Sequence, residues 1–293
     1  MRARHRNFVL FGWGVLAWNV LVVLWGAFVR ATGSGAGCGS HWPLCDGMVV
    51  PRDPGAATVI EFTHRITSGL ALLSLAALLA MAFRIFPRGH RVRSAAVLAG
   101  VFMLLEAALG AGLVLFGLVG DNNSPWRAVY LCAHLVNTML LLAMLAAIPW
   151  LASGGPRKRL VERPSALFVT LPLALLITIT GGIAALGDTL YPGAAALAAD
   201  SPVLLRLRLL HPLTAVLVGA FAFVAAWRVV RIPHLARPAL AVLMLLAVQM
   251  AAGAVNVVLL APVWMQILHL FLADLLWIAL VVLYLEASHE PAR

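Results

Sequence analysis

Long apolar runs separated by short polar breaks set the pattern of this chain. Eight runs are long enough to cross a hydrocarbon layer of about 30 Å, which takes about 20 helical residues. They fall near 8–30, 63–86, 94–118, 127–150, 165–187, 204–230, 238–260 and 263–286. The runs are continuous instead of alternating, so the pattern predicts helices and not strands. Pro87-Arg88-Gly89, Asn122-Asn123-Ser124-Pro125, Gly154-Gly155-Pro156 and Ala261-Pro262 punctuate them, each ending or starting a helix. The first run is too long for a signal peptide and lacks a small-residue cleavage site, so it is expected to stay as a span. The predicted fold class is an all-α, polytopic membrane protein with eight transmembrane helices.

Composition agrees with that pattern. Of the 293 residues 63% are hydrophobic and only 11% are charged, where a soluble domain carries about a quarter. The formal charge of +10 is spread over short loops and forms no single face. It reads as membrane orientation, and no nucleic-acid partner is expected. Of the 21 Lys and Arg residues, 15 fall on one side: Arg2, Arg4, Arg6, Arg84, Arg88, Arg91, Arg93, Arg157, Lys158, Arg159, Arg163, Arg228, Arg231, Arg237 and Arg293. The other side has Arg30, Arg52, Arg65, Arg127, Arg206 and Arg208. The positive-inside rule then places both termini in the cytoplasm of a cell-membrane protein, with the loop after the first span outside.

The chain also repeats itself. LLEAALGAGLVLFGL (104–118) in the third span matches AVQMAAGAVNVVLLA (247–261) in the seventh, pairing Glu106 with Gln249 and Gly110 with Gly253. His134 in the fourth span matches His269 in the eighth, and His64 in the second matches His211 in the sixth. The first and fifth spans share only a glycine-rich exit, Gly33 and Gly35 against Gly181 and Gly182. Two pseudo-repeated four-helix bundles are expected, residues 1–152 and 153–293, with the same topology.

The candidate chemistry gathers at one depth. His5, His90, His234 and His289 fall in loops or tails and read as surface residues, and His41 lies in the outer loop beside Trp42. The remaining four, His64, His134, His211 and His269, each open an even-numbered span and so share one layer of the membrane. Zinc prefers four ligands around one ion, whereas the repeat splits these histidines into two pairs. Imidazoles from two facing helices suit haem iron, whose flat macrocycle fits inside a bundle. Two haem-sized sites follow, His64 with His134 and His211 with His269. Arg30, Arg65, Arg206 and Arg208 stand at the aqueous edge. They are candidates to meet haem propionates through their forked donors, or simply snorkel to the interface.

The two halves differ at one telling position. Glu61 precedes His64 by three residues, and Arg208 precedes His211 by three. Residues at that spacing share a helix face. Glu61 therefore either exchanges protons or steadies positive charge at a reactive N-terminal site, or serves only as an acid near a helix start. Cys38 and Cys45, with six residues between them on the outer side, are expected to form a disulfide, structural or redox-active. Cys132 reads as a buried free thiol. Glu106 and Asp274, the intramembrane carboxylates, either bond a neighbouring helix or line a proton route.

These residues resemble the haem A synthase family. The likeness rests on RATGSGAGCGSHWPLCDG (30–47), on EFTHR (61–65), on the histidines of spans four, six and eight, and more weakly on GAVNVVL (253–259). It covers all eight spans. The resemblance implies oxidation of the C8 methyl group of haem O to a formyl group, giving haem A for terminal oxidases. It implies Glu61 as catalytic residue, His64 and His134 on the substrate side, and His211 and His269 as ligands of a resident haem b. Haem O synthase and an electron acceptor are implied partners, alongside membrane lipid. Some members carry a second cysteine pair between spans five and six, and the loop 188–203 has none here. Two other readings use the same histidines: a non-catalytic di-haem cytochrome b passing electrons between quinone and a partner, which would not need Glu61, and a haem transporter or chaperone.

Overall fold

The computed structural model of the protein describes residues 2–154, 165–191 and 202–289. Gly155-Pro156, Arg157, Lys158, Arg159, Arg163, Arg293 and most of the loop 188–203 lie outside the described residues. The helices are α1 (Arg2–Ala31), α2 (Ala56–Ile85), α3 (Arg91–Leu115), α4 (Pro125–Ser153), α5 (Ser165–Leu190), α6 (Val203–Leu207), α7 (Leu210–Val229), α8 (Ala236–Val258) and α9 (Val263–Ala287). Counting α6 and α7 as one broken span, eight are long and apolar enough to cross a membrane. No strand occurs among the described residues, only an isolated bridge between Cys45 and Met48. The protein is an all-α, multi-pass membrane protein.

Two boundaries differ from the hydropathy pattern. The second span begins at Ala56, behind the extended Gly55, and not at residue 63. Glu61 and His64 therefore sit in its second and third turns. The sixth span breaks at Arg208-Leu209 because Pro212 has no N–H to return to the Arg208 carbonyl. The separate start of α7 brings His211 into its first turn.

Helices α1 to α4 form a ring in which α1 touches α2, α2 touches α3, α3 touches α4 and α4 returns to α1. The other half has the same order of contacts, α5 with α7, α7 with α8, α8 with α9 and α9 with α5. The rings meet where α4 packs on α5 and α9, and where α1 packs on α9 and α5. Trp277 donates its indole N–H to the Met139 carbonyl at 2.7 Å, tying α9 to α4.

The buried core is displaced toward one end of the bundle. In α2 it comprises Ala71, Leu75, Leu78 and Ala82, all past His64, and in α4 it is dense from Asn137 to Ala152. In α3 it runs through Val92, Ala95, Ala96 and Ala99, next to the same end. Lipid tails are as apolar as leucine, so such helices associate through close packing at small residues. The alanines provide it, and Gly12 lets α1 press on Pro149 of α4, where a Cβ would come within 3.2 Å. At the opposite end, the four histidines are only partly buried.

The third and seventh spans end alike. Leu118 N–H bonds the Leu113 carbonyl at 2.8 Å, and Ala261 N–H bonds the Asn256 carbonyl at 2.8 Å. Both ends then turn through a left-handed residue. At α3 it is Gly117, with φ 62°, and at α8 it is Leu260, with φ 57°.

Candidate functional site

The loop between α1 and α2 is folded down onto α2. Cys38 and Cys45 form a disulfide and are both buried. Gly37 lies so close to the backbone of Ala57 and Thr58 that a side chain there would collide with it. Thr58 donates its hydroxyl to the Gly37 carbonyl at 2.7 Å. Arg65 donates to the carbonyls of His41 at 2.7 Å and Leu44 at 2.5 Å.

Glu61 stands where that loop meets the helix and is buried, with 3% of its surface exposed. One carboxylate oxygen accepts the Cys38 backbone N–H at 2.8 Å, and the other accepts two donors of Arg65, at 2.5 and 3.2 Å. A buried carboxylate is tolerated when paired and bonded in this way. Glu61 lies in the second turn of α2, beyond the first turn where the helix dipole acts most strongly.

Each of the four histidines lies against a glycine of the span before it. A Cβ built at Gly26 would fall 2.9 Å from the His64 ring, at Gly181 3.1 Å from His211, and at Gly253 3.0 Å from His269. At Gly110 it would fall 3.7 Å from His134. The glycine facing His64 is thus Gly26, inside α1. The Nδ1 atoms of His64, His134 and His269 are buried without a hydrogen-bond partner. Such atoms are costly unless something binds them. His211 and His269 meet nearly perpendicularly, with ring centroids 6.2 Å apart. Thr180 holds His211 at 3.3 Å through Nδ1. Among the described residues no ring contact joins His64 to His134.

The arginines expected at the aqueous edge are distributed unequally. Arg30 spends its fork across the two rings of helices, on the Ala185 carbonyl at 2.7 Å, the Thr189 hydroxyl at 2.5 Å and Gln266 at 3.0 Å. Arg65 is committed to Glu61 and the loop. Arg208 pairs with Asp188 at 3.0 Å, and Arg206 is exposed on α6. Arg127 is buried and donates to the carbonyls of Gly120 and Asn122. Cys132 is a half-buried free thiol that donates to the Ile179 carbonyl at 3.6 Å.

The profile of the COX15-CtaA family, described as cytochrome oxidase assembly protein, matches residues 10–281. The chain belongs to this family. A protein named protoheme IX farnesyltransferase from Thermus thermophilus is 49% identical over 296 residues, which cover 97% of this chain and 49% of the relative. The chain thus spans about half the length of that relative. A heme A synthase from Halalkalibacterium halodurans is 41% identical over 113 residues, 39% of this chain and 38% of the relative. One from Exiguobacterium is 38% identical over 112 residues, 38% of this chain and 37% of the relative.

Three features of the site were not visible in the sequence. Gly26 was hidden in an apolar run, and Gly181, visible only as part of a glycine-rich exit, gave no sign that it faces His211. Asn137 and Thr138, which hold Glu106, lie one turn past His134 and read as ordinary span residues. The direct bond from Cys38 to Glu61 joins residues 23 apart and needs the folded loop to exist.

Proposed function

We propose that the protein is a haem A synthase, oxidising the C8 methyl group of haem O in two successive steps to the formyl group of haem A. Haem O would occupy the site of His64 and His134, with a resident haem b at His211 and His269. The observation that carries this reading is the set of four glycine-backed histidines in a member of a cytochrome oxidase assembly family, one pair of them beside a buried glutamate. Three of the rings keep a buried Nδ1 without a hydrogen-bond partner, a cost that ligand binding at these sites would offset. The His211 and His269 rings, with centroids 6.2 Å apart, are the pair that would hold the resident haem between them. A bound haem b would supply one-electron acceptance. The matching helix-contact order and the matching ends of α3 and α8 support the division into pseudo-repeated halves, 1–152 and 153–293.

Glu61 is the acid of the substrate site. Cys38 and Arg65 fix its carboxylate on the helix that carries His64, so it takes up protons released at the macrocycle edge or steadies positive charge there. The glycines keep Cβ atoms away from the histidine rings. Arg206 and Arg208 are the cations closest in sequence to His211 and serve the propionates of the resident haem. Arg30, Arg65 and Arg208 reach a propionate only by sharing their present partners. Both termini would lie in the cytoplasm, as the arginine distribution indicates.

Haem O carries a farnesyl-derived tail, so an enzyme farnesylating protohaem would supply it. The name of the Thermus relative supports such a partner. That name also raises a second reading, in which this chain itself transfers the farnesyl group. Prenyl diphosphates react with Mg²⁺ held between carboxylates and phosphates. No group of three or more His, Cys, Asp or Glu side chains among the described residues could hold a metal ion. The oxidase reading is favoured by the family match over residues 10–281 and by the chain spanning only about half of that relative.

The test is pigment extraction from cells that express the protein with a supply of haem O. Haem A is expected to appear, and to disappear in Glu61→Ala and His64→Ala. Farnesylation of protohaem by the purified protein, or wild-type cells without haem A, would contradict the proposal.

A further inference from the structure

The two histidines of the third-to-fourth and seventh-to-eighth spans are served by different neighbours. Glu106 lies one turn before Gly110 and brings a carboxylate oxygen to 3.5 Å from His134 Nδ1. Its oxygens are held in place from α4: Asn137 donates to one at 2.5 Å and the Thr138 hydroxyl donates to the other. Asn137 is itself anchored to the Phe102 carbonyl at 2.9 Å. Gln249, one turn before Gly253, lies instead against the other ring nitrogen of His269, with its amide nitrogen 3.4 Å from Nε2, and His269 Nδ1 is buried without a hydrogen-bond partner. The Gln249 amide oxygen is buried without a partner. Where α4 has Asn137 and Thr138 after His134, α9 has Leu272 and Ala273 after His269. One histidine has a braced anion beside its Nδ1; the other has none there among the described residues, and a neutral amide beside its Nε2.

A ligating histidine normally gives its second ring N–H to an outer partner, which fixes the tautomer and sets the donor strength of the ligating nitrogen. A carboxylate partner raises basicity more than an amide does, and contacts that are long in an empty site shorten when the site is filled. We infer that Glu106 is a positioning residue of the N-terminal site, holding the Nδ1 proton of His134 and leaving Nε2 to bind iron, whereas His269 has no anion at its Nδ1 among the described residues. The consequence is two sites of unequal reduction potential, the N-terminal one lower, since net charge and ligand basicity set the potential of haem iron. This inference rests on the haem sites proposed above.

The experiment is potentiometric titration of the purified full-length protein loaded with iron protoporphyrin, together with nitrogen-15 NMR of its histidines before loading. Glu106→Gln is expected to raise the N-terminal site's potential and leave the C-terminal site unchanged. The ratio of oxidised to reduced iron at a fixed potential should fall about tenfold, equivalent to about 59 mV for one electron. Gln249→Glu is expected to lower the C-terminal site's potential. In the unloaded protein, His134 should be a single Nδ1–H tautomer that becomes mixed in Glu106→Gln. Should Glu106→Gln fold poorly, Asn137→Leu with Thr138→Ala frees the carboxylate without removing it and should shift the potential the same way. Unchanged potentials with an unchanged tautomer would overturn the inference, even if the wild type makes haem A. A protein that shows the tautomer change but makes no haem A would instead sink the proposed reaction and leave this assignment standing.

Discussion

The two halves share a frame and differ in what they hang on it. Each has a ring of four spans in the same order, with a histidine pressed against a glycine at each even span. Around the N-terminal pair stand Glu61 and Glu106, both accepting hydrogen bonds from neighbouring donors. At the corresponding C-terminal positions stand Arg208 and Gln249. In the proposed reading the frame sets where a haem would sit, and the charge around it decides whether that haem would only be held or would also have an acid beside it. A carboxylate stands three residues before His64, and an arginine three residues before His211.

The strongest way to break the comparison is to remove the acid. Glu61→Gln should lower haem A formation by at least about 100-fold, the range for losing a positioned proton acceptor. Arg208→Gln should leave formation far closer to wild type, read as haem A per unit of protein. Next is the clasp that only the N-terminal half shows among the described residues. Replacing Cys38 and Cys45 together by Ser should cost about 2–3 kcal/mol in unfolding, measured in detergent. It should also lower formyl production, because Glu61 loses the fixed Cys38 N–H.

A subtler contrast concerns the glycines. Gly26→Ala should displace the His64 ring, at about 1–3 kcal/mol for a forced contact, and Gly110→Ala should be nearly silent because its Cβ finds 3.7 Å of space. Haem retention on a column reads both. The smallest effect lies at the ends of α3 and α8. Leu260→Gly would give the C-terminal half the residue that the N-terminal half already has at Gly117, and should stabilise by about 1 kcal/mol. The reverse, Gly117→Leu, should cost a similar amount.

The spans were legible because a helix must satisfy its backbone internally in lipid, so hydropathy and length decide almost alone. That logic misplaced the start of α2, where Thr63, His64 and Arg65 interrupt an apolar run that the helix simply continues through. It also missed the break before α7, although Pro212 announces it. The histidine layer was legible from their shared placement at the openings of the even spans. What surrounds each ring was not, because the contacts come from other helices: Gly26 from α1, Glu106 from α3, Cys38 from the loop. Periodicity along one helix carries no information about its neighbour. The arginines show the same limit, since Arg30 and Arg65 read as free edge cations until Thr189, Gln266 and the loop carbonyls are seen to hold them.

The central claim is that one half holds a resident haem and the other a substrate. Pigment analysis of purified His211→Ala and His64→Ala proteins tests it most directly. The account predicts that His211→Ala loses the tightly held haem, while His64→Ala keeps it and makes no haem A. A resident haem that survives His211→Ala and vanishes with His64→Ala would contradict it.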